Sequence, residues 1–109
     1  MMGCMSSASA DVFRAISDPT RRAILDALVE GERAVRELLK PFSISQPALS
    51  KHLRVLREAG LVRQRKVGRE RHYRLNARKL RNVSEWVRHY ERFWSERLDQ
   101  LGALLEEEA

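Results

Sequence analysis

The run SQPALSKHLRVLREAGLVRQRKVGRERHYRL, residues 45–75, decides the fold. It opens on Ser45, whose hydroxyl can accept the free backbone N–H groups of a helical first turn. Pro47 follows inside that turn, where no donor is needed. Leu49, Leu53 and Leu56 then recur at helical spacing and leave a polar face opposite, predicting one helix from Gln46 to Ala59 that Gly60 ends. After Gly60 the period changes. Leu61–Val67 and Arg71–Leu75 are rich in valine and tyrosine, alternate from side to side and flank Gly68-Arg69-Glu70, so two strands around a turn are expected.

Toward the amino terminus the pattern predicts three shorter helices. Ala8–Ile16 carries Val12, Phe13 and Ile16 at helical spacing and stops at Ser17-Asp18-Pro19. Asp18 can cap a second helix, Pro19–Glu30, with Ile24, Leu25, Leu28 and Val29 facing inward and Gly31 ending it. A third, Ala34–Leu39, buries Val35, Leu38 and Leu39 and ends before Pro41. The connection over residues 40–44 is so short that this helix and the next must cross steeply, which is a helix-turn-helix. Residues 1–9, small and polar from Gly3 to Ser9, are expected to form a flexible tail.

Beyond the hairpin, Asn76 is placed to cap a brief turn over Ala77–Leu80, and a long amphipathic helix is expected from about Val83 to about Glu107. Its seam reads Val83, Val87, Tyr90, Trp94, Leu98, Leu101 and Leu105, widened by Trp86, Phe93 and Leu104. A stripe of that length exceeds what a small domain covers by itself, so a second subunit is expected on it. The expected fold class is mainly α with a small β-hairpin: a winged helix-turn-helix over residues 10–80, then a dimerisation helix over 81–109 packed on the same domain.

The formal net charge of +6 is concentrated. Residues 1–47 sum to zero, residues 48–79 to +9 and residues 80–109 to −3, so the middle stretch has the footprint of a polyanion binder. The single cysteine, Cys4, excludes an internal disulfide and fits a reducing, cytoplasmic setting. No apolar run approaches the roughly 20 residues of a membrane span, and no secretory signal is recognisable. His52, His72 and His89 are scattered, and no nucleophile or carboxylate pair can be read from spacing. Neither an enzyme nor a cofactor is expected.

A helix fits the major groove, where each base pair presents its own donors and acceptors, so Gln46–Ala59 is the reading head. Its outer face offers Gln46, Pro47, Ser50, Lys51 and Arg54, with Ser45 at its start. Gln46 can pair with adenine, Lys51 or Arg54 can donate to guanine or phosphate, and the Ser45 and Ser50 hydroxyls suit phosphate or base edges. His52, beside the apolar stripe, is read as a packed, hydrogen-bonded residue. Arg69 and Arg71 at the hairpin tip are able to reach the neighbouring minor groove or backbone. Arg63, Arg65, Lys66 and Arg74 add diffuse attraction.

The stretches Phe13–Arg22, Ile44–Val62 and Gly68-Arg69 through His72-Tyr73-Arg74-Leu75 resemble the ArsR/SmtB-type winged helix-turn-helix regulators over about residues 10–80. The resemblance implies a cytoplasmic homodimer built from first and last helices, with Val12 and Phe13 on the first, that represses an operator overlapping the promoter. Double-stranded DNA is the implied partner, through an inverted repeat. The family's metal sensors carry paired cysteines on the third helix, where this chain has Val35-Arg36-Glu37-Leu38-Leu39. Glu85 and His89, with Glu91 near, fall short of the four ligands of a zinc site. The chain therefore looks like the metal-free branch, and no metal or other effector is assigned. Two alternatives stand beside this reading: a metal- or redox-responsive repressor, through Glu85/His89 or Cys4, and a winged-helix module for protein or RNA.

Overall fold

The computed structural model describes residues 7–108, which form five helices, one turn of 3-10 helix and a three-stranded antiparallel sheet. Helix α1 (Ser7–Ile16) takes in Ser7 to Ser9, expected in the tail. Asp18 is extended and accepts the Arg21 backbone N–H at 3.0 Å, which starts α2 (Pro19–Leu28) with Pro19 in its first turn. Helix α2 stops two residues before Glu30. Val29 is therefore 68% exposed rather than inward-facing, because the chain leaves the helix ahead of Gly31, whose φ of +148° favours glycine.

The segment Arg33–Ala34 forms a short strand, β1, that the sequence did not suggest. Ala34 is thus extended, and α3 (Val35–Leu39) begins one residue later than expected. Helix α4 (Gln46–Glu58) opens on Ser45, whose Oγ accepts from Ala48 N at 3.2 Å. It closes on Gly60, where Gly60 N donates to Arg57 O and Leu61 N to Leu56 O, each at 2.9 Å. Gly60 takes a φ of +79°, the left-handed backbone common after a helix end.

Strands β2 (Val62–Val67) and β3 (Glu70–Leu75) pair from Val62↔Leu75 to Val67↔Glu70, so the turn is Gly68-Arg69 alone and Glu70 belongs to β3. Gly68 supplies the positive φ at the turn. Arg33 faces Tyr73 and Ala34 faces His72 across β1–β3, giving the sheet order β1-β3-β2. Asn76 does not cap the 3-10 turn at Ala77–Leu80. Its Nδ2 donates to Gly60 O at 2.9 Å, which ties the exit of β3 to the loop after α4.

Leu49, Leu53 and Leu56 of α4 meet Ile24 and Leu28 of α2, Leu38 of α3, Leu61, Val62 and Tyr73 in one core. Val12 lies in that core at 1% exposure, so it supplies no surface to a partner, contrary to its expected place in a dimer face. Helix α5 (Arg81–Glu108) begins two residues earlier than expected. Val83 packs against the core, and Trp86 meets Phe13 of α1 edge-on, ring centroids 5.8 Å apart at 82°. From Glu91 to Leu101 every residue is exposed, so α5 packs on its own domain only through its first turns. Tyr90, Phe93, Trp94, Leu98, Leu101, Leu104 and Leu105 present between 45% and 67% of their surface.

Candidate nucleic-acid interface

The apolar stripe of α4 is turned into the core, so the opposite stripe faces out. Ser45, Gln46, Pro47, Ser50, Lys51 and Arg54 are all exposed. Gln46, Ser50 and Arg54 repeat every four residues and form one wall of a cleft of about 590 Å³. The facing wall comes from the hairpin through Arg69, Glu70, Arg71 and Tyr73, and the floor from Ala34, Val35, Arg36 and Leu39. Five of the eight expected nucleic-acid residues, Gln46, Ser50, Arg54, Arg69 and Arg71, thus line one cleft, while Ser45, Pro47 and Lys51 are exposed on α4 outside it.

Two arginines of the cleft were missed. Arg57 continues the Gln46, Ser50, Arg54 stripe by one more turn, a spacing visible in the sequence. Its Nη1 donates to Gln64 Oε1 at 2.6 Å, and the Tyr73 hydroxyl donates to the same oxygen at 2.8 Å, so α4 is fastened to the hairpin. Arg36 reaches the cleft from α3 and pairs with Glu70 at 3.1 Å; no local pattern announced it.

The positive charge here is partly compensated. Arg54 Nε lies 3.0 Å from Glu58 Oε1 one turn on. Arg65 forms two bonds of 2.8 Å to the Glu32 carboxylate, which ties the middle of β2 to the segment before β1 and takes Arg65 out of the purely diffuse role expected of it. That hydrogen bond holds the Glu32 carboxyl below its ordinary value, against an opposing effect of burial. Among the described residues Lys51, Arg69 and Arg71 form no ion pair, so their charge is directed to solvent.

His52 is half-buried on the inner side of α4, its Nδ1 3.4 Å from Arg21 Nη1 and 4.0 Å from Asp18 Oδ2. The packed, hydrogen-bonded reading fits this geometry. On α5, Glu85 lies 3.9 Å from Arg81. Among the described residues no group of three or more His, Cys, Asp or Glu side chains is placed to hold a metal ion, and Cys4 lies outside those residues. No helix among them is long and apolar enough to cross a membrane.

Residues 18–64 match the family described as bacterial regulatory protein, arsR family. The chain is 39% identical over 77 residues to the transcriptional repressor SdpR of Bacillus subtilis, covering 71% of this chain and 86% of that protein. It is 38% identical over 96 residues to an HTH-type transcriptional regulator of Mycobacterium tuberculosis, covering 88% and 87% respectively. Among solved structures, an ArsR-like transcriptional regulator from Rhodococcus superposes with a TM-score of 0.70 at 33% identity over 93% of each chain. Matching fold, matching length and an exposed polar stripe on the second helix of a helix-turn-helix agree: this chain belongs to the arsR family of bacterial regulatory proteins and is a winged helix-turn-helix, DNA-binding transcriptional regulator.

Proposed function

We propose that this chain represses transcription as a homodimer bound to an inverted-repeat operator, without a metal. Each protomer lays α4 in the major groove of one half-site, with Gln46 and Ser50 toward base edges and Lys51 and Arg54 toward guanine or phosphate. Arg69 and Arg71 of the hairpin grip the adjoining backbone or minor groove, and Ser45 and Pro47 approach the duplex at the start of the helix. Residues 10–80 are the reading domain and α5 is the dimerisation helix. Phe13 and Trp86 begin the dimer face, which continues through Val83, Val87, Tyr90, Phe93, Trp94, Leu98, Leu101 and Leu105.

One observation carries this reading: the cleft in which four residues of the reading helix and two cationic hairpin residues converge. A cleft between a groove-sized helix and a cationic turn suits a sugar-phosphate strand passing between two grooves. The apolar face of α5 supports the dimer, because an exposed stripe of that size on a free protomer would favour association. Selection of bound duplexes from a random pool at two salt concentrations tests the proposal. An inverted repeat with half-sites about one helical turn apart, roughly 34–36 Å, is expected, with affinity falling steeply as salt rises. Recovery of sequences without any repeat would overturn it.

A further inference from the structure

Arg21, on α2, is not part of the DNA-facing surface, yet its side chain joins three elements. Its Nε donates to Ala15 O at 2.7 Å and its Nη2 to Arg14 O at 3.1 Å, which closes the carboxyl end of α1. The remaining nitrogen, Nη1, points at His52 Nδ1 on α4 at 3.4 Å. An arginine carries no acceptor, so Nη1 can only donate, and it bonds His52 in the tautomer whose Nδ1 presents a lone pair. The backbone that carries this side chain is held as well, since the Arg21 N–H donates to Asp18 Oδ2 at 3.0 Å. Helix α1 in turn meets α5 through Phe13 and Trp86.

We propose that Arg21 is a positioning residue for DNA recognition: by tying the end of α1 to His52 on α4, it sets the angle between the dimer-forming helices and the reading helix. That angle fixes the half-site spacing the dimer accepts. The inference rests on the dimeric, inverted-repeat reading given above.

Packing alone does not fix this angle well. Val12 and Ala15 of α1 and Leu49 and Leu53 of α4 share the core, but apolar contact is non-directional and tolerates small rotations. A planar guanidinium with three committed nitrogens does not. The lever matters because α4, 13 residues long, spans about 20 Å. A tilt of about 10° pivoting at one end would shift the other by roughly 3 Å, close to one base-pair step.

A neighbouring arginine provides the control. Arg22 Nη1 also donates to a carbonyl of the α1 end, Ile16 O at 2.8 Å, and Arg22 forms no bond to α4. A role confined to closing α1 would be shared by Arg21 and Arg22; a positioning role would belong to Arg21 alone.

The experiment selects duplexes with the full-length protein from a pool in which the spacer between the two arms of the repeat varies by single base pairs. It uses wild type, Arg21→Lys, His52→Leu, His52→Gln and Arg22→Lys, with folding and dimerisation checked by circular dichroism and sedimentation. Wild type and Arg22→Lys are expected to prefer one spacing. Arg21→Lys and His52→Leu should lose about tenfold of that preference, the scale of a hydrogen bond made by a charged group. His52→Gln, whose amide oxygen can still accept, should regain most of it. Arg21→Lys and His52→Leu keeping the wild-type spacing, or Arg22→Lys broadening it equally, would overturn the assignment. If wild type itself shows no repeat and no spacing, the functional reading fails and takes this inference with it.

Discussion

The reading domain and the far half of α5 are both helical and both rich in leucine and aromatic residues, yet they solve burial differently. In the reading domain Leu49, Leu53, Leu56 and Leu61 are almost wholly enclosed by elements of the same chain. Past Val87, α5 presents Trp94, Leu98 and Leu105 at half or more of their surface. The first region closes its own core, whereas the second leaves its apolar stripe in solvent, open to the second protomer proposed above. Substitutions should therefore act on folding in one region and on association in the other.

The largest expected effect tests the first half of that statement. Leu53→Ala removes a side chain that is 1% exposed at the crossing of α4 with α1 and α2, so it should lower folding stability by about 2–5 kcal/mol. In denaturant titration this loss should already be evident in dilute protein. Leu98→Asp tests the second half. It places a charge in the middle of the exposed stripe, so the protomer should fold normally while self-association falls by about 2 kcal/mol or more by sedimentation. Operator affinity should drop with it, because one protomer holds only one half-site. If dilute Leu98→Asp protein unfolds as early as Leu53→Ala, the far half of α5 belongs to the protomer's own core and the contrast collapses.

A smaller effect separates the two walls of the cleft. Gln46→Ala should cost about 1–3 kcal/mol of discrimination at one base position of each half-site, seen as relaxed preference in competition binding. Arg69→Ala should weaken all duplexes nearly equally and reduce the slope of log affinity against log salt by about one. Identical profiles for the two variants would show that helix and hairpin do not divide base and backbone between them.

How much of this was readable beforehand depended on the range of the forces involved. Asp18 and Ser45 were legible as caps because a cap is a bond to a backbone three residues away. Each should be worth about 1 kcal/mol on replacement by alanine, measurable by thermal unfolding. The leucine stripe of α4, and with it the outward face, was legible for the same local reason. Strand β1 was not, since two residues carry no period and Arg33–Ala34 becomes a strand only by pairing with Tyr73 and His72 far along the chain. Asn76 has a side chain suited to capping, but Gly60 O, sixteen residues back, wins it. Val29 prolonged the stripe of α2 on paper, although the helix had already ended. Arg57 could have been found by extending the Gln46 stripe one turn, whereas Arg36 enters the cleft only through tertiary packing.

The smallest effect concerns the ion pair that braces the hairpin from within the reading domain. Arg65 hydrogen-bonds the Glu32 carboxylate and holds its pKa below the ordinary 4.5, with Coulombic attraction from Arg65 and His72 adding to this and partial burial opposing it. A carboxyl whose pKa is lower folded than unfolded contributes stability that is complete above the unfolded value and disappears as pH falls through the folded one. Thermal stability of the wild type should therefore decline from about pH 5 downward more steeply than that of Glu32→Gln, which has no proton to take up. The pair is open to water, so the difference should be small and should shrink further in high salt. Because the carboxylate sits beside the hairpin and far from α5 in sequence, self-association measured across the same pH range should not distinguish Glu32→Gln from wild type. A change in association with this substitution would mean that the hairpin and the proposed dimer face are coupled, and that the two regions are less independent than their burial indicates.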